Sequence, residues 1–398
     1  MKEKQAGAEC TQTPKKKPNM LMRLLAFLLT LALVLGAVAV VVYRDKLNFD
    51  AVRRYFSYRS LTKTASGQAE SFPHGGNMKD SFLAVGDKLL VCSGSGVTAF
   101  SGSGTKTAEK SLALETPILS AAGPYALIYD AGGQSLFVYN SKTDEFTTLP
   151  DLKSDLLSAR LNPSGWLAVT TRATGYKGSV TVYKNDLAPK LRLDLSSSFV
   201  TDGLVSADNK QLAAITMGQA ESGFESKLCL YNLSRTDGQD APDATCSLGG
   251  NVVLDLAETS GGYCALGDIS LTQVGHDGSS AGSYDYGGRF LKEFSLGGED
   301  FAALLLGKYR AGSRSDLVTV GADGKELAVL PMNEQVLSVS AEGRYLSVLT
   351  ADRLDIYTKD LELYSSLTGT QGARKVLQRP DGSALLIGSE TARLYIPS

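Results

Sequence analysis

The sequence predicts an all-β protein, a β-propeller that follows one N-terminal transmembrane helix. Three observations support this prediction: a loose repeat of about forty residues, short strands with alternating apolar residues, and glycine-rich tight turns. The chain has 398 residues, of which 41 are glycine and 43% are apolar, so it can bury a large core. Eight blades are expected, and seven would result if residues 297–335 were shared differently between neighbouring units.

The repeat is most visible as a tight turn followed by an apolar strand. Successive turn residues from Gly86 to Gly262 lie 37, 42, 44 and 53 residues apart, and Gly343 and Gly382 are 39 apart. An eighth, less regular unit is expected around Phe301–Val320. Each unit continues into an alternating strand that ends on tyrosine or a similar residue, which indicates one buried face. These strands are Leu136–Tyr139, Val180–Tyr183, Leu228–Tyr231 and Leu354–Tyr357.

The last unit, Arg374 to Pro397, supplies only three strands. Residues Gln68–Phe72 precede the first blade and are expected to supply the fourth strand of the last one. Such a closure would remove the exposed edge that an open array of blades presents.

The N-terminal region predicts a membrane anchor. Leu24–Tyr43 is twenty residues long and contains no charge, which is sufficient to span about 30 Å of hydrocarbon. A short basic tail followed by an apolar run and a long domain indicates a signal-anchor with a cytoplasmic N-terminus and an extracytoplasmic propeller. The alternative is a signal peptide cleaved near Ala37–Ala39.

These observations divide the chain into four regions. Residues 1–23 form a cytoplasmic basic tail, 24–43 the transmembrane helix, 44–64 a juxtamembrane amphipathic stalk and 65–398 the propeller. Within the stalk, Asp50–Leu61 has helical spacing of apolar and basic residues.

The charge distribution bears on the partners. Residues 1–64 contain 12 Lys and Arg against 4 Asp and Glu, whereas residues 65–398 contain 28 against 38. An acidic main domain argues against nucleic acid, which requires clustered cations. The basic residues instead lie beside the predicted span, where anionic lipid headgroups are the simpler partner.

Residues 53–56, 126–133 and 174–183 have the sequences RRYF, ALIYDAGG and TGYKGSVTVY. These three stretches resemble a bacterial family of single-span proteins with an extracytoplasmic propeller, known only as a domain of unknown function. The likeness covers essentially the whole chain. It implies the fold and the topology, but it implies no activity and no functional residues.

Three segments are similar to catalytic or nucleotide-binding motifs, and two of them match the motif pattern. Gly278–Gly282 fits G-x-S-x-G around Ser280, with His276 and Asp277 close by, but no helix follows to form a nucleophile elbow. Gly94–Ala99 fits a dinucleotide fingerprint, but a strand rather than a helix follows. Ser101–Lys106 lacks the order of a phosphate loop. All three are expected to be hairpin turns.

No metal or cofactor site is predicted. His74 and His276 are the only histidines, too few for a histidine-rich metal centre. Calcium at Asp323-Gly324 or Asp381-Gly382 stays an alternative to ordinary solvated turns. The single tryptophan, Trp166, argues against a quinone-dependent dehydrogenase propeller.

The cysteines do not form a framework. There are five, at irregular spacing: Cys10, Cys92, Cys229, Cys246 and Cys264. Cys229 and Cys246 are candidates for a disulfide across one hairpin in an oxidising compartment, and buried free thiols are the alternative.

The expected function is therefore a non-enzymatic binding or scaffold module for a protein or cell-envelope component, and the sequence identifies no small-molecule substrate. The alternative is a hydrolase with a carboxylate or metal site on the propeller axis. Three or more inner-strand carboxylates with shifted pKa values would favour that alternative. A sensor that signals through the membrane is a third hypothesis, which the short N-terminal tail makes weak.

Overall fold

The computed structural model describes residues 20–42, 50–150, 152–221, 223–235 and 240–397. The chain divides into two compact units, Met1–Phe56 and Ser57–Ser398. Helix α1 spans Met20–Val42 and helix α2 spans Asp50–Tyr58. The start of α2 agrees with the helix predicted from Asp50 onward, and its Asp50 lies in the first turn, where a negative charge is favourable.

In the described parts of the chain, no helix combines the length and the apolarity needed to cross a membrane. The predicted span Leu24–Tyr43 ends on Tyr43, which lies outside the described residues. The first 19 residues of the predicted cytoplasmic tail and residues 44–49 of the predicted stalk also lie outside them.

The larger unit consists of eight antiparallel sheets of four strands each, which confirms the eight-bladed propeller. Strand β1, Phe72–Pro73, precedes the first blade. The first four blades consist of β2 Ser81–Val85, β3 Lys88–Ser93, β4 Gly96–Phe100, β5 Lys106–Ser111, β6 Pro117–Ala122, β7 Tyr125–Asp130, β8 Leu136–Asn140, β9 Glu145–Thr148, β10 Leu156–Leu161, β11 Leu167–Thr171, β12 Gly178–Tyr183, β13 Pro189–Leu195, β14 Phe199–Val205, β15 Gln211–Ala220, β16 Gly223–Asn232 and β17 Ala244–Ser247.

The remaining four blades consist of fifteen further strands together with β1, which belongs to the eighth blade. These fifteen strands are β18 Val253–Thr259, β19 Gly262–Gly267, β20 Ser270–Gly275, β21 Ser280–Asp285, β22 Phe290–Gly298, β23 Phe301–Gly307, β24 Ser315–Gly321, β25 Glu326–Met332, β26 Val336–Glu342, β27 Tyr345–Thr350, β28 Arg353–Tyr357, β29 Leu363–Thr368, β30 Ala373–Gln378, β31 Ala384–Gly388 and β32 Thr391–Tyr395. The irregular eighth unit predicted around Phe301–Val320 is the sixth blade, β22 to β25.

The turn between the first and second strands of a blade often requires a left-handed residue. Gly86 and Gly343 have φ values of 57° and 59° at this point, a conformation that glycine adopts without a steric penalty. Asn209 and Asp300 take the same place in the fourth and sixth blades with φ values of 61° and 59°. Asparagine and aspartate tolerate this region better than other residues, which explains why the glycine pattern is interrupted there.

The ring closes where the sequence predicts. Strand β1 pairs with β32 through Phe72 opposite Ala392, so the last blade takes its fourth strand from the segment before the first blade. The Ala69 amide also donates to the Leu394 carbonyl at 2.8 Å. The two ends of the domain are thereby joined in one sheet.

The core lies between blades rather than within them. Eight clusters of buried apolar side chains occupy the eight interfaces between successive blades. Alternate residues of each strand therefore belong to different interfaces, because side chains point to opposite faces of a sheet. Each blade depends on both neighbours for the burial of its two faces.

Candidate functional site

The first strands of successive blades neighbour one another around the whole ring and surround its axis. Six of them contain a β-bulge at an equivalent point, where one residue has no partner on the second strand. Pairing resumes in every case at a polar residue. These residues are Ser158, Asp202, Asp255, Glu293, Ser338 and Lys375.

Arg160 joins three of these inner strands. Its Nη2 lies 2.6 Å from Asp202 Oδ2 on the fourth blade and 2.7 Å from Asp255 Oδ1 on the fifth. Its Nη1 also donates to the Leu256 carbonyl at 3.0 Å. Burial lowers the pKa of the guanidinium, but the two carboxylates outweigh it and the net shift is upward. Arg160 is therefore a fixed cation that holds blades three, four and five together.

Side chains on the other half of the ring bond to the backbone of the next inner strand. Glu293 accepts from the Val339 amide at 2.8 Å, and the Ala341 amide donates to Ser295 Oγ at the same distance. Burial raises the pKa of the Glu293 carboxyl, although the Val339 amide and the charge of Lys375 oppose the shift. These contacts account for the polar character of strands that face the axis.

An axial cavity of about 1110 Å³ opens on one face of the propeller. We call this the inner-turn face, because it contains the turns between the first and second strands of the blades. Six carboxylates line the cavity, against two cations and His276. The carboxylates are Asp208, Asp255, Glu258, Glu299, Asp300 and Glu342. The cations, Arg160 and Lys210, are already paired with Asp255 and Asp208 respectively.

Two of the cavity carboxylates are poorly neutralised. Burial raises the pKa of Glu258, although one of its oxygens accepts from the Ala207 amide at 2.7 Å and the charge of His276 opposes the rise. Glu342 is exposed to the cavity but surrounded by protein, and the resulting desolvation raises the pKa of its carboxyl to about 7. Among the described residues, desolvation alone accounts for this shift, and no charged or hydrogen-bonding side chain opposes it.

The criterion for an axial hydrolase is only partly met. Three inner-strand carboxyls have raised pKa values, but Glu258 and Glu342 line the axial cavity whereas Glu293 lines a cavity on the opposite face. Among the residues that the structure describes, no three His, Cys, Asp or Glu side chains are placed to hold a metal ion.

The segment around Ser280 forms a hairpin, as predicted. Strands β20 and β21 flank it, and Gly278 has a φ of 82° in the turn. Asp277 accepts from Ser279 Oγ at 2.6 Å, while the ring of His276 packs edge-on against Tyr263 with centroids 5.2 Å apart. The geometry thus contains neither a nucleophile elbow nor a serine–histidine pair.

The other two patterns are also turns. Gly94 and Ser95 connect β3 to β4, and residues 101–105 connect β4 to β5. The Ser101 amide donates to the Thr105 carbonyl at 2.8 Å, which closes the second turn tightly. Neither segment leads into a helix that could receive a phosphate.

His74 is buried at the ring closure rather than in a cavity. Its Nε2 lies 3.1 Å from the Gly388 carbonyl oxygen, and its Nδ1 accepts from the Gly76 amide at the same distance. The two turns considered as alternative calcium sites contain Asp323 and Asp381. Asp323 pairs with Lys325 at 2.9 Å, and Asp381 accepts a hydrogen bond from the Tyr58 hydroxyl at 2.8 Å. Trp166 packs against the core between the third and fourth blades.

Cys229 and Cys246 are free and buried, so the structure has the buried free thiols rather than the candidate disulfide. On the paired strands β16 and β17, Cys246 lies opposite Leu228, while Cys229 lies opposite Thr245. This offset of one residue places the two thiols on opposite faces of the sheet. Cys229 accordingly belongs to the core between blades three and four, and Cys246 to the core between blades four and five.

The family to which the chain belongs follows from its match to a protein-family model. Residues 54–387 match the model of a family of unknown function, DUF5711. The chain belongs to this family. No protein with a curated description matches it.

Solved structures share the fold at low sequence identity. The C-terminal WD40 domain of Sif2 has a TM-score of 0.54 and 13% identity, and the match covers 84% of this chain and 97% of that domain. Sqt1 from Chaetomium thermophilum has a TM-score of 0.53 and 13% identity, covering 84% of this chain and 99% of that one. BamB from Moraxella catarrhalis has a TM-score of 0.50 and 12% identity, covering 83% and 99%. At such identities these structures establish the propeller fold alone.

Proposed function

We propose that this protein is a membrane-tethered propeller that binds a protein or cell-envelope component through its axial cavity on the inner-turn face. The observation that carries the proposal is the excess of carboxylates around a cavity of about 1110 Å³. The bound group is cationic, such as a lysine or arginine side chain of a partner. A cleft with low-dielectric walls and charge of one sign concentrates ligands of the opposite sign.

The raised pKa values support this choice of ligand. Desolvation without an adjacent cation raises the pKa of a carboxyl, and this is the condition of Glu342. A bound ammonium or guanidinium would supply the missing positive charge and stabilise the ionised carboxylate. Glu258, on the neighbouring wall, would contribute a second negative charge to the same site.

The tether rests on the sequence. Leu24–Tyr43 has no charge over twenty residues, and Lys15, Lys16 and Lys17 lie before it. A propeller on the outer side of a bacterial cell membrane fits this order of segments. A cysteine introduced by Lys359→Cys, in an exposed turn of the seventh blade, should react in intact cells with a membrane-impermeant maleimide. Reaction only after permeabilisation would refute the outward orientation.

Photo-crosslinking from inside the cavity tests the binding proposal. A photoreactive residue at Ser260, on the exposed wall of the cavity, should capture a partner in cells. The matched control carries the same residue at Thr147, an exposed position on the outermost strand β9 of the second blade. Identical captures from both positions, or none from Ser260, would contradict binding at the axis.

The hydrolase remains a second candidate because of one observation. A carboxyl with a pKa of about 7, such as that of Glu342, can act as a general acid or base near neutral pH. A screen of ester, glycoside and peptide substrates with the Glu342→Gln variant as control tests this candidate. Equal turnover by both proteins would exclude Glu342 from any such reaction.

A further inference from the structure

A second cavity lies on the face opposite the inner turns, between blades five and six. Its volume is about 770 Å³, within the range of sites that hold small organic ligands. Apolar side chains on its wall are unusually exposed: Leu254 is 49% exposed, Ile269 54% and Phe290 38%. Exposed apolar residues that gather in one concavity indicate a binding surface more than isolated ones do.

Two β-bulges place a side chain on the wall of this cavity. On β18 the pairing with β19 skips Leu254, and on β22 the pairing with β23 skips Lys292. A bulge redirects the extra residue away from the regular alternation of the strand. Both redirected side chains line the same cavity, one apolar and one cationic.

The loop Lys308–Arg314 forms the outer wall. With seven residues between β23 and β24, it is the longest connection between second and third strands, since the other seven have two to six residues. It contains three cations and no acid. Lys292 Nζ donates to the Gly312 carbonyl at 2.7 Å, which holds the loop against the cavity without neutralising the ammonium charge.

The acidic side chains of the cavity wall differ from Arg310 in their hydrogen-bond and ion-pair partners. The acids already accept from backbone amides: Asp268 from Val252 at 2.9 Å, and Glu293 from Val339 at 2.8 Å. The third, Asp285, accepts from the Gly287 amide at 2.6 Å. Arg310, in contrast, has no carboxylate partner among the described residues, and its guanidinium lies 5.4 Å from the centroid of the Phe290 ring.

We propose that this cavity binds a small ligand with an anionic head, a carboxylate or phosphate, on an apolar body. The head pairs with the Arg310 guanidinium near the charge of Lys292, because arginine binds planar or tetrahedral anions through two parallel hydrogen bonds. The apolar body covers Leu254, Ile269 and Phe290. The site is separate from the axial cavity and does not depend on the function proposed there.

Titration of the full-length protein with matched aromatic ligands tests this site. The ligands are 4-phenylbutyrate, 4-phenylbutyl phosphate, 4-phenylbutanol and 4-phenylbutylamine, which share one apolar body and differ in the head. Ligand-observed NMR should show saturable binding of one or both anions and much weaker binding of the alcohol and the amine. The preferred anion identifies the head as carboxylate or phosphate.

Variants then locate the site. Arg310→Gln should weaken binding of the preferred anion by about tenfold, as expected for the loss of one charge-assisted contact. The matched control is Arg172→Gln, an exposed arginine in the corresponding connection of the third blade, and it should leave the affinity unchanged. An unchanged melting temperature in both variants excludes unfolding as the cause. Equal binding of anion and amine, no saturable binding, or no effect of Arg310→Gln would overturn the proposal.

Discussion

Substitution of Arg160 by methionine tests how strongly the inner strands are tied together. The change keeps much of the aliphatic volume but leaves the carboxylates of Asp202 and Asp255 without their cation. The side chains of these three residues are 23%, 14% and 28% exposed, so the ion pairs are only partly solvated. Breaking a buried pair costs about 3–5 kcal/mol, and the partial exposure here places the expected loss near the lower value. A loss of about 3 kcal/mol should lower the melting temperature by roughly 5 °C or more.

The assay is thermal unfolding at a fixed scan rate and pH 7. The control is the triple variant Arg160→Met, Asp202→Asn and Asp255→Asn, which removes the uncompensated charges together with the cation. It should recover at least half of the lost melting temperature, since the cost comes mainly from unpaired carboxylates. A single variant as stable as the wild type, or a triple variant no better than the single one, would refute the reasoning.

Three further predictions follow from burial and pKa. The raised pKa of Glu342 means that the folded state holds a proton which the unfolded state releases, so stability falls as pH rises from about 4.5 to about 7. Glu342→Gln should therefore stabilise the protein at pH 8, by at most about 1 kcal/mol after allowance for solvent, and change little at pH 4; equal effects at both would contradict this. Phe72→Ala at the ring closure, where the ring is 6% exposed, should cost about 3 kcal/mol in urea unfolding. The exposed control Phe199→Ala should cost less than about 0.5 kcal/mol, and similar costs would argue against closure through β1. Cys229 and Cys246 should be alkylated only after denaturation, without prior reduction; a mass two hydrogens lower, indicating a disulfide, would contradict the register of β16 and β17.

The sequence was sufficient for the architecture because its signals are local. A turn residue such as Gly86 and the alternating strand after it are read within ten residues, and eight such units establish the ring. The closing segment at Gln68–Phe72 could also be predicted, because the last unit lacked a strand. Asn209 and Asp300, which replace glycine at left-handed positions, mark where the repeat was hardest to recognise.

The axis was named from the sequence as the place of an alternative carboxylate site, but the residues of the candidate sites were not predicted, because they depend on contacts across many blades. Arg160 contacts Asp202 and Asp255 because the register of each of the three inner strands shifts at a bulge. No local sequence pattern predicts these bulges. The same sensitivity to register separates Cys229 from Cys246. Glu258 and Glu342, 84 residues apart in the chain, line one cavity only because the ring brings their blades to a common axis.

The measurement that tests the central claim most directly is the affinity of a tri-arginine peptide for the full-length protein, by calorimetry at pH 8 and pH 5.5. Binding at the axial cavity should be tighter at pH 8, because the carboxyl of Glu342, with a pKa of about 7, is then ionised. The double variant Glu258→Gln and Glu342→Gln should lose most of the affinity at pH 8 and much of the pH dependence, while His276 on the same wall stays titratable. An affinity that is the same at both pH values, or that the double variant retains, would contradict the axial cavity as a cation-binding site.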